Sequence, residues 1–141
     1  MTITKKNTLR LASLILAVVL FLSLFSPIAQ ARASDYIFSY AASMNPDGNG
    51  KVSVWFDITG TGMMEEIGST TITIYEDNSL VKTYNFSTTP SMMAYNKGIH
   101  GSSVSYYGVP GKSYYANVTF WAAKQGGGDN RFKSTTTIVA T

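Results

Sequence analysis

Aromatic and amide side chains at alternating positions are the residues of this sequence that could carry recognition chemistry. All nine tyrosines and both tryptophans follow residue 33. In segments with strand-like alternation, the face opposite the apolar residues carries Tyr75, Tyr115, Asn117 and Trp121, and Trp55 also points away from the predicted core. Such rings stack on the apolar faces of sugars and anchor protein interfaces. We therefore expect Tyr75, Tyr115, Asn117 and Trp121 to form a ligand-binding surface. The alternatives are cross-strand pairing that only stiffens the sheet and a face covered by the connection at residues 88–101.

Catalytic groups are sparse. There is no cysteine, and His100 is the only histidine. We expect His100 to be an exposed, loosely held ring in a Gly- and Ser-rich stretch, and a hydrolase that pairs it with Ser102 or Ser103 stays an open alternative. Glu65–Glu66 and Glu76–Asp77 are adjacent pairs typical of solvated turns, whereas glycoside cleavage needs two carboxylates that flank a cleft from different elements. We therefore expect no catalytic residues and no enzyme activity.

The segment from Asn45 to Gly50 has oxygen ligands at alternating positions, like the start of a calcium loop. The twelfth position of such a loop is a glutamate, but here it is Phe56, within a strand pattern. We interpret the segment as a turn between strands. A looser site formed by Asp47, Asn49 and Asp129 would require the loops to meet at one end of the fold, and we expect neither a metal nor a cofactor.

Residues 1–33 have the organisation of a signal peptide. Basic residues precede an apolar run of about 15 residues, shorter than the roughly 20 a membrane span needs, and Ser26 and Pro27 break it before Ala29 to Ala31. We expect cleavage after Ala31 or Ala33. The sequence thus predicts a secreted, extracellular domain at residues 34–141 with no membrane span after cleavage.

The charge of the exported domain excludes one class of partner. Cleavage after Ala31 leaves basic and acidic residues in balance, and cleavage after Ala33 also removes Arg32 and leaves a formal charge of −1. No basic stripe remains to follow a phosphate backbone, so nucleic acid is not expected as a partner. Because there is no cysteine, the domain must fold without disulfides.

Alternation with period two predicts an all-β fold. Seven short strands separated by turn signals are typical of a single antiparallel β-sandwich. The expected strands lie near residues 36–43, 52–58, 70–75, 80–86, 103–107, 114–122 and 132–140. Residues 59–62 are expected to end the second strand, 88–101 to be an irregular connection and 126–130 a loop. The predicted core contains the inward-facing residues Val52, Val54, Phe56, Ile72, Ile74, Ala116, Val118 and Phe120.

Two resemblances sharpen this expectation. Val109 to Tyr114, followed by Ala116, Val118 and Phe120, resembles the corner of fibronectin type III and immunoglobulin-like sandwiches, where a tyrosine hydroxyl bonds to nearby backbone. The exported part also resembles a family of small, uncharacterised secreted proteins of Gram-positive bacteria, which implies a secreted β domain and supplies no activity. The segments that carry this second resemblance are residues 33–36, 54–62, 67–68, 82–84, 92–93, 100–104, 111–116 and 127–129.

The sequence therefore predicts a secreted, non-enzymatic binding module. Its partner would be an extracellular protein or a cell-envelope glycan, contacted through Tyr75, Tyr115, Asn117 and Trp121. The alternative is a secreted toxin resembling the lactococcin 972 type of bacteriocin, since the size, the lack of cysteine and the segment His100 to Val104 are loosely similar.

Overall fold

The computed structural model describes residues 34–141, and the predicted signal peptide lies outside the described residues. This part of the chain is all-β, with seven strands in one antiparallel, partly curled sheet. The strands are β1 (Ile37–Gly48), β2 (Lys51–Glu76), β3 (Ser79–Asn85), β4 (Met93–Tyr107), β5 (Ser113–Lys124), β6 (Gly127–Ser134) and β7 (Ile138–Val139). Within residues 34–141 the only helical segment is the 3-10 turn Pro90–Met92.

The 26-residue strand β2 organises the sheet. Its first half, residues 51–60, lies between β1 and the later part of β4. Its second half, residues 66–76, pairs with β5 along one edge and with the start of β4 and β3 along the other. The predicted second and third strands are therefore one strand, and the expected end at residues 59–62 is wrong.

The chain turns at these residues without leaving the sheet. Opposite β4, the pairing jumps from Thr59 to Met64 on β2. The extra residues form an irregularity that bends the strand. A hydrogen bond of 2.9 Å from the Thr61 N–H to the Tyr36 carbonyl joins this irregularity to the residue before β1. The glycines read as a strand end in the sequence instead allow β2 to bend from one half of the sheet into the other.

Both halves of β2 contribute to a single core. All eight predicted core residues are buried, each with an exposed fraction of 3% or less. β5 shows the cleanest alternation, because every second residue from Tyr114 to Ala122 is fully buried. The core prediction is confirmed, because period-two alternation sorts side chains to opposite faces of any strand.

Two predicted connections are strands in the structure. Most of the expected irregular stretch, residues 88–101, belongs to β4, which pairs with β2 and buries Met93 and Ala94 at its start. Most of the expected Gly-rich loop, residues 126–130, belongs to β6, which leaves a tight turn at Gln125 and Gly126. Glycine is a local turn signal, but strand pairing overrides it in both places, with the distant β2 in the first and with the adjacent β5 in the second.

The predicted last strand is divided in two. β6 ends at Ser134, and β7 returns to pair with the beginning of β5. Between them, Thr135 is buried and closes a two-way contact with Ala116, since its N–H donates to the Ala116 carbonyl and its Oγ1 accepts from the Ala116 N–H.

The all-β antiparallel class is confirmed. The immunoglobulin-like sandwich stays a prediction, because β2 hydrogen-bonds into both halves and joins them in one sheet. Near the free edges, the Tyr84 hydroxyl of β3 donates to the Ser105 carbonyl of β4 at 2.6 Å. This contact draws two strands together that do not pair with each other.

Gly68 is the position where the fold leaves no room for a side chain. A Cβ there would collide with the backbone of Met92 and Met93. We expect Gly68→Ala to lower the free energy of unfolding by about 1–3 kcal/mol, since the backbone has to shift to relieve the overlap. Urea unfolding followed by far-UV circular dichroism measures this change.

Gly62→Ala is the matched control, because Gly62 is exposed on the same strand and has open space at its Cβ. The control is expected to change stability by no more than about 1 kcal/mol. Equal losses in the two variants would contradict the close packing of residues 90–93 on β2.

Candidate functional site

Tyr75 and Tyr115 form a stacked pair on the outer side of the sheet. They are direct partners in the β2–β5 register, and their rings lie 4.8 Å apart at 5° between planes. Both side chains are half-buried. Tyr115 also borders a shallow depression whose lining includes Asp77, Asn78 and Thr137. The stacking contact fixes both rings, and part of each stays open to solvent.

Asn117 follows Tyr115 on the same side of β5. Its Oδ1 accepts a 2.6 Å hydrogen bond from the Ser134 hydroxyl on β6, and its register partner on β2 is Thr73. The Thr73 hydroxyl donates to the Asn117 carbonyl at 3.4 Å. The amide is therefore oriented by its neighbours, with its NH₂ donors left without a partner within residues 34–141.

Trp121 is held by two contacts. Its indole N–H donates to a Glu66 carboxylate oxygen at 2.9 Å. Its six-membered ring covers Gly128, where an added Cβ would lie 2.6 Å from Cη2. Glycine on β6 thus accommodates the ring, which is half-buried and fixed in orientation.

The structure places all four predicted residues on one side of β5 and β2. Tyr75, Tyr115 and Asn117 are neighbours. Trp121 lies six residues beyond Tyr115 along β5, a distance of about 20 Å at ordinary strand rise. Phe132 of β6 is the direct partner of Thr119, is 70% exposed and lies between the two ends. We call Tyr75, Tyr115, Asn117, Trp121 and Phe132 the β5 face.

Sequence reasoning missed Phe132. The alternation around it is weak, because the Gly-rich start of β6 looks like a loop. Only the register with β5 shows that its ring faces the same way as Thr119.

Sequence reasoning also left Trp55 out of the site, although it assigned the ring to the outer side. Trp55 is 53% exposed and lies on the other half of the sheet, in a groove that it shares with Asp57. The small residues beside it are far away in sequence, so no local pattern indicates the groove.

Tyr114, with its partners Val109 and Glu76, forms a corner that orients the chain where β5 begins, and we call it the Tyr114 corner. The buried Tyr114 hydroxyl accepts from the Val109 N–H at 2.8 Å and donates to a Glu76 carboxylate oxygen. Burial raises the pKa of Tyr114, and the hydrogen bond to Glu76 raises it further. The hydroxyl-to-backbone contact expected from the sequence is present, and it fixes the start of the strand that carries Tyr115.

His100 is placed differently from the expectation of a loosely held ring. Its Nε2 lies 2.9 Å from the Ser91 carbonyl, and the ring packs edge-on against Phe56 at 5.8 Å between centroids. No hydrogen bond joins it to Ser102 or Ser103 in residues 34–141. The ring is held because β4 pairs with β2 across this stretch.

The residues of the looser calcium arrangement do not meet. Asp47, at the end of β1, bonds to Ser53 and lies 3.4 Å from Lys51, whereas Asp129 on β6 bonds to Arg131. The start of β6 lies beside Tyr36, which precedes β1, so the two carboxylates belong to opposite ends of β1. In the described part of the chain, no group of three or more acidic, histidine or cysteine side chains could hold a metal ion.

The chain matches no known family model, no curated protein and no solved structure. Across residues 34–141, no helix has the length and apolar character needed to cross a membrane.

Tyr114→Phe tests the corner. The variant leaves the Val109 N–H and the Glu76 carboxylate without their shared partner, so we expect the free energy of unfolding to fall by about 1–3 kcal/mol. Tyr115→Phe is the matched control, since the Tyr115 hydroxyl makes no hydrogen bond within residues 34–141. Urea unfolding of both variants measures the difference, and comparable losses would argue against the corner.

The ion pair beside the β5 face predicts a pH dependence. The hydrogen bond from Lys112, with a second from the Ser113 N–H, lowers the pKa of Asp77 below 3.8. Its contribution to stability is therefore fully present above pH 3.8 and is lost as pH falls through the lowered value. We expect the stability difference between the protein and Asp77→Asn to shrink on acidification to about pH 2, measured by urea unfolding. A difference that is constant with pH would contradict this assignment.

Proposed function

We propose that this protein is an exported, non-enzymatic binding module whose β5 face contacts an extracellular partner, and that a cell-envelope glycan is the ligand its chemistry fits best. The observation that carries the proposal is the spacing of the rings. The Tyr75–Tyr115 pair lies at one end, Trp121 about 20 Å away along β5, and Phe132 between them. An extended chain of sugars can stack on several such rings at once.

The side chains between the rings support a glycan rather than a charged ligand. The register sets hydroxyl and amide groups in rows across β3, β2, β5 and β6, at Thr71, Thr73, Thr83, Asn85, Asn117, Thr119 and Ser134. These groups donate and accept hydrogen bonds without carrying charge, as sugar hydroxyls do. A sheet surface that alternates rings and hydroxyls suits a flat, polar polymer.

The contacts of His100 support the non-enzymatic part of the proposal. Its Nε2 is paired with the Ser91 carbonyl and its ring is packed on Phe56, so a serine nucleophile would need a different ring position to be activated. The proposed ligand is bound and released unchanged.

The proposed location follows from the sequence. The segment at residues 1–33 has the order of a secretory signal, and the remaining domain has no cysteine to oxidise outside the cell. We infer also that the curled sheet is a variant of the immunoglobulin-like sandwich. The shared core of the two halves of β2 and the Tyr114 corner support this interpretation.

Tryptophan emission tests the binding proposal, because the chain has two tryptophans. Trp55→Phe leaves Trp121 as the sole emitter, on the β5 face. We expect its emission to change on titration with purified wall polysaccharide, or with soluble hexasaccharides of glucose or N-acetylglucosamine. Tyr115→Ala in the same background should weaken this response about 5-fold or more, because loss of one stacked ring removes about 1 kcal/mol or more.

Thr136→Ala is the control, since this exposed residue lies outside the β5 face. An unchanged emission with every glycan would remove the glycan ligand. Retention of a secreted or surface protein by the wild-type module but not by Tyr115→Ala would then identify a protein partner on the same face. Growth inhibition of related bacteria by the purified protein would favour the toxin alternative.

A further inference from the structure

A second outer surface lies on the first half of β2, away from the β5 face. Trp55 stands there with Ser43 of β1 and Ser103 of β4 as its direct register partners. No aromatic ring or cation of residues 34–141 contacts the indole. Because only small side chains flank it, the ring is 53% exposed.

The neighbouring residue on the same side of the strand is Asp57. It lies two positions from Trp55, about 7 Å along the strand, and its own register partners are Ala41 and Gly101. Neither partner has a side chain that could bond to the carboxylate. Within residues 34–141 Asp57 makes no hydrogen bond and no ion pair.

Two other charges on this surface compensate each other. Lys51 lies 3.4 Å from Asp47, and Asp47 also accepts from the Ser53 hydroxyl. These groups form a closed network at one end of the strand. Asp57 is therefore a negative charge on this surface that has no ion-pair partner within residues 34–141.

Trp55 and Asp57 border one groove of about 340 Å³. The rest of its lining is small or apolar and consists of Ala41, Ala42, Ser43, Phe56, Gly101 and Ser102. Asp57 is the only charged residue among them. A ligand in the groove therefore meets an aromatic ring and a carboxylate, with little bulk to exclude it.

We propose that this groove, here called the Trp55 groove, binds an organic ammonium cation. The negative face of an indole attracts a cation, and the carboxylate attracts the same charge, so both groups favour the same ligand. The apolar lining suits the alkyl groups that such a cation carries. A neutral sugar could stack on the ring but would gain nothing from the charge of Asp57.

Two sources supply this chemistry, a quaternary ammonium headgroup of the choline type and the side chain of a lysine. The contacts are the same in kind, since both present a positively charged nitrogen on an alkyl chain, with three methyl groups in choline and three hydrogens in lysine. The corresponding probes are choline and Nα-acetyl-lysine N-methylamide, in which the side-chain ammonium is free. Their relative affinities distinguish the two sources.

The test uses Trp121→Phe, which leaves Trp55 as the sole emitter. We expect choline to change the emission of Trp55, and its uncharged carbon analogue 3,3-dimethylbutanol to bind at least about 5-fold more weakly, because cation–π attraction and the carboxylate act only on the charged ligand. Asp57→Asn should weaken choline binding by a similar factor and leave the neutral analogue unaffected. Added salt should weaken only the choline response.

Glu65→Gln is the matched control, since it removes the same charge from an exposed position beyond the bend of β2. Equal binding of choline and its neutral analogue, or unchanged choline binding in Asp57→Asn, would overturn the proposal. If Trp121→Phe fails to fold, line broadening of the choline N-methyl proton resonance by the wild-type protein and by Asp57→Asn gives the same comparison. The outcome is separable from the glycan test, which reports on Trp121.

Discussion

The continuity of β2 is the constraint on which the described structure depends. One strand supplies core residues to both halves of the sheet, so its alternation must keep the apolar side inward before and after the bend. The register with β4 shifts between Thr59 and Met64, and the unpaired residues between them let the strand bend while its apolar side stays inward. The residues between the inward-facing ones point outward in both halves. Trp55 and Tyr75 therefore lie on outer surfaces that are separated by the bend.

The Tyr114 corner joins the segment before β5 to the end of β2. Its hydroxyl is shared between the Val109 N–H and the Glu76 carboxylate, and its ring lies against Gly108, where a Cβ would collide with it. Tyr115 follows immediately and faces outward. These hydrogen bonds hold the start of β5 beside the end of β2, next to the position of Tyr115 on the β5 face.

The two outer surfaces differ in chemistry for a simple reason. On the β5 face, rings and hydroxyl groups face one another across strands, and Glu66 is used by the Trp121 indole. In the Trp55 groove, small partners leave the ring and the Asp57 carboxylate without such contacts. Uncharged polar groups between rings suit a neutral polymer, whereas a carboxylate without a partner suits a cation.

Alternation along the chain by itself determined the β class, the eight core residues and the outward direction of Tyr75, Tyr115, Asn117 and Trp121. These properties could be predicted because side-chain direction in a strand depends only on local periodicity. The tertiary structure decided that residues 59–62 continue β2, that residues 127–130 pair as β6, and that Gly128 and Glu66 hold Trp121. It also decided that His100 is packed and that Trp55 shares a groove with Asp57. The β5–β6 pairing spans only a two-residue turn, but the Gly-rich composition of this stretch conceals it. The pairings of β2 with β4 and β5 join segments tens of residues apart, and a local pattern carries no information about which distant strand will lie alongside.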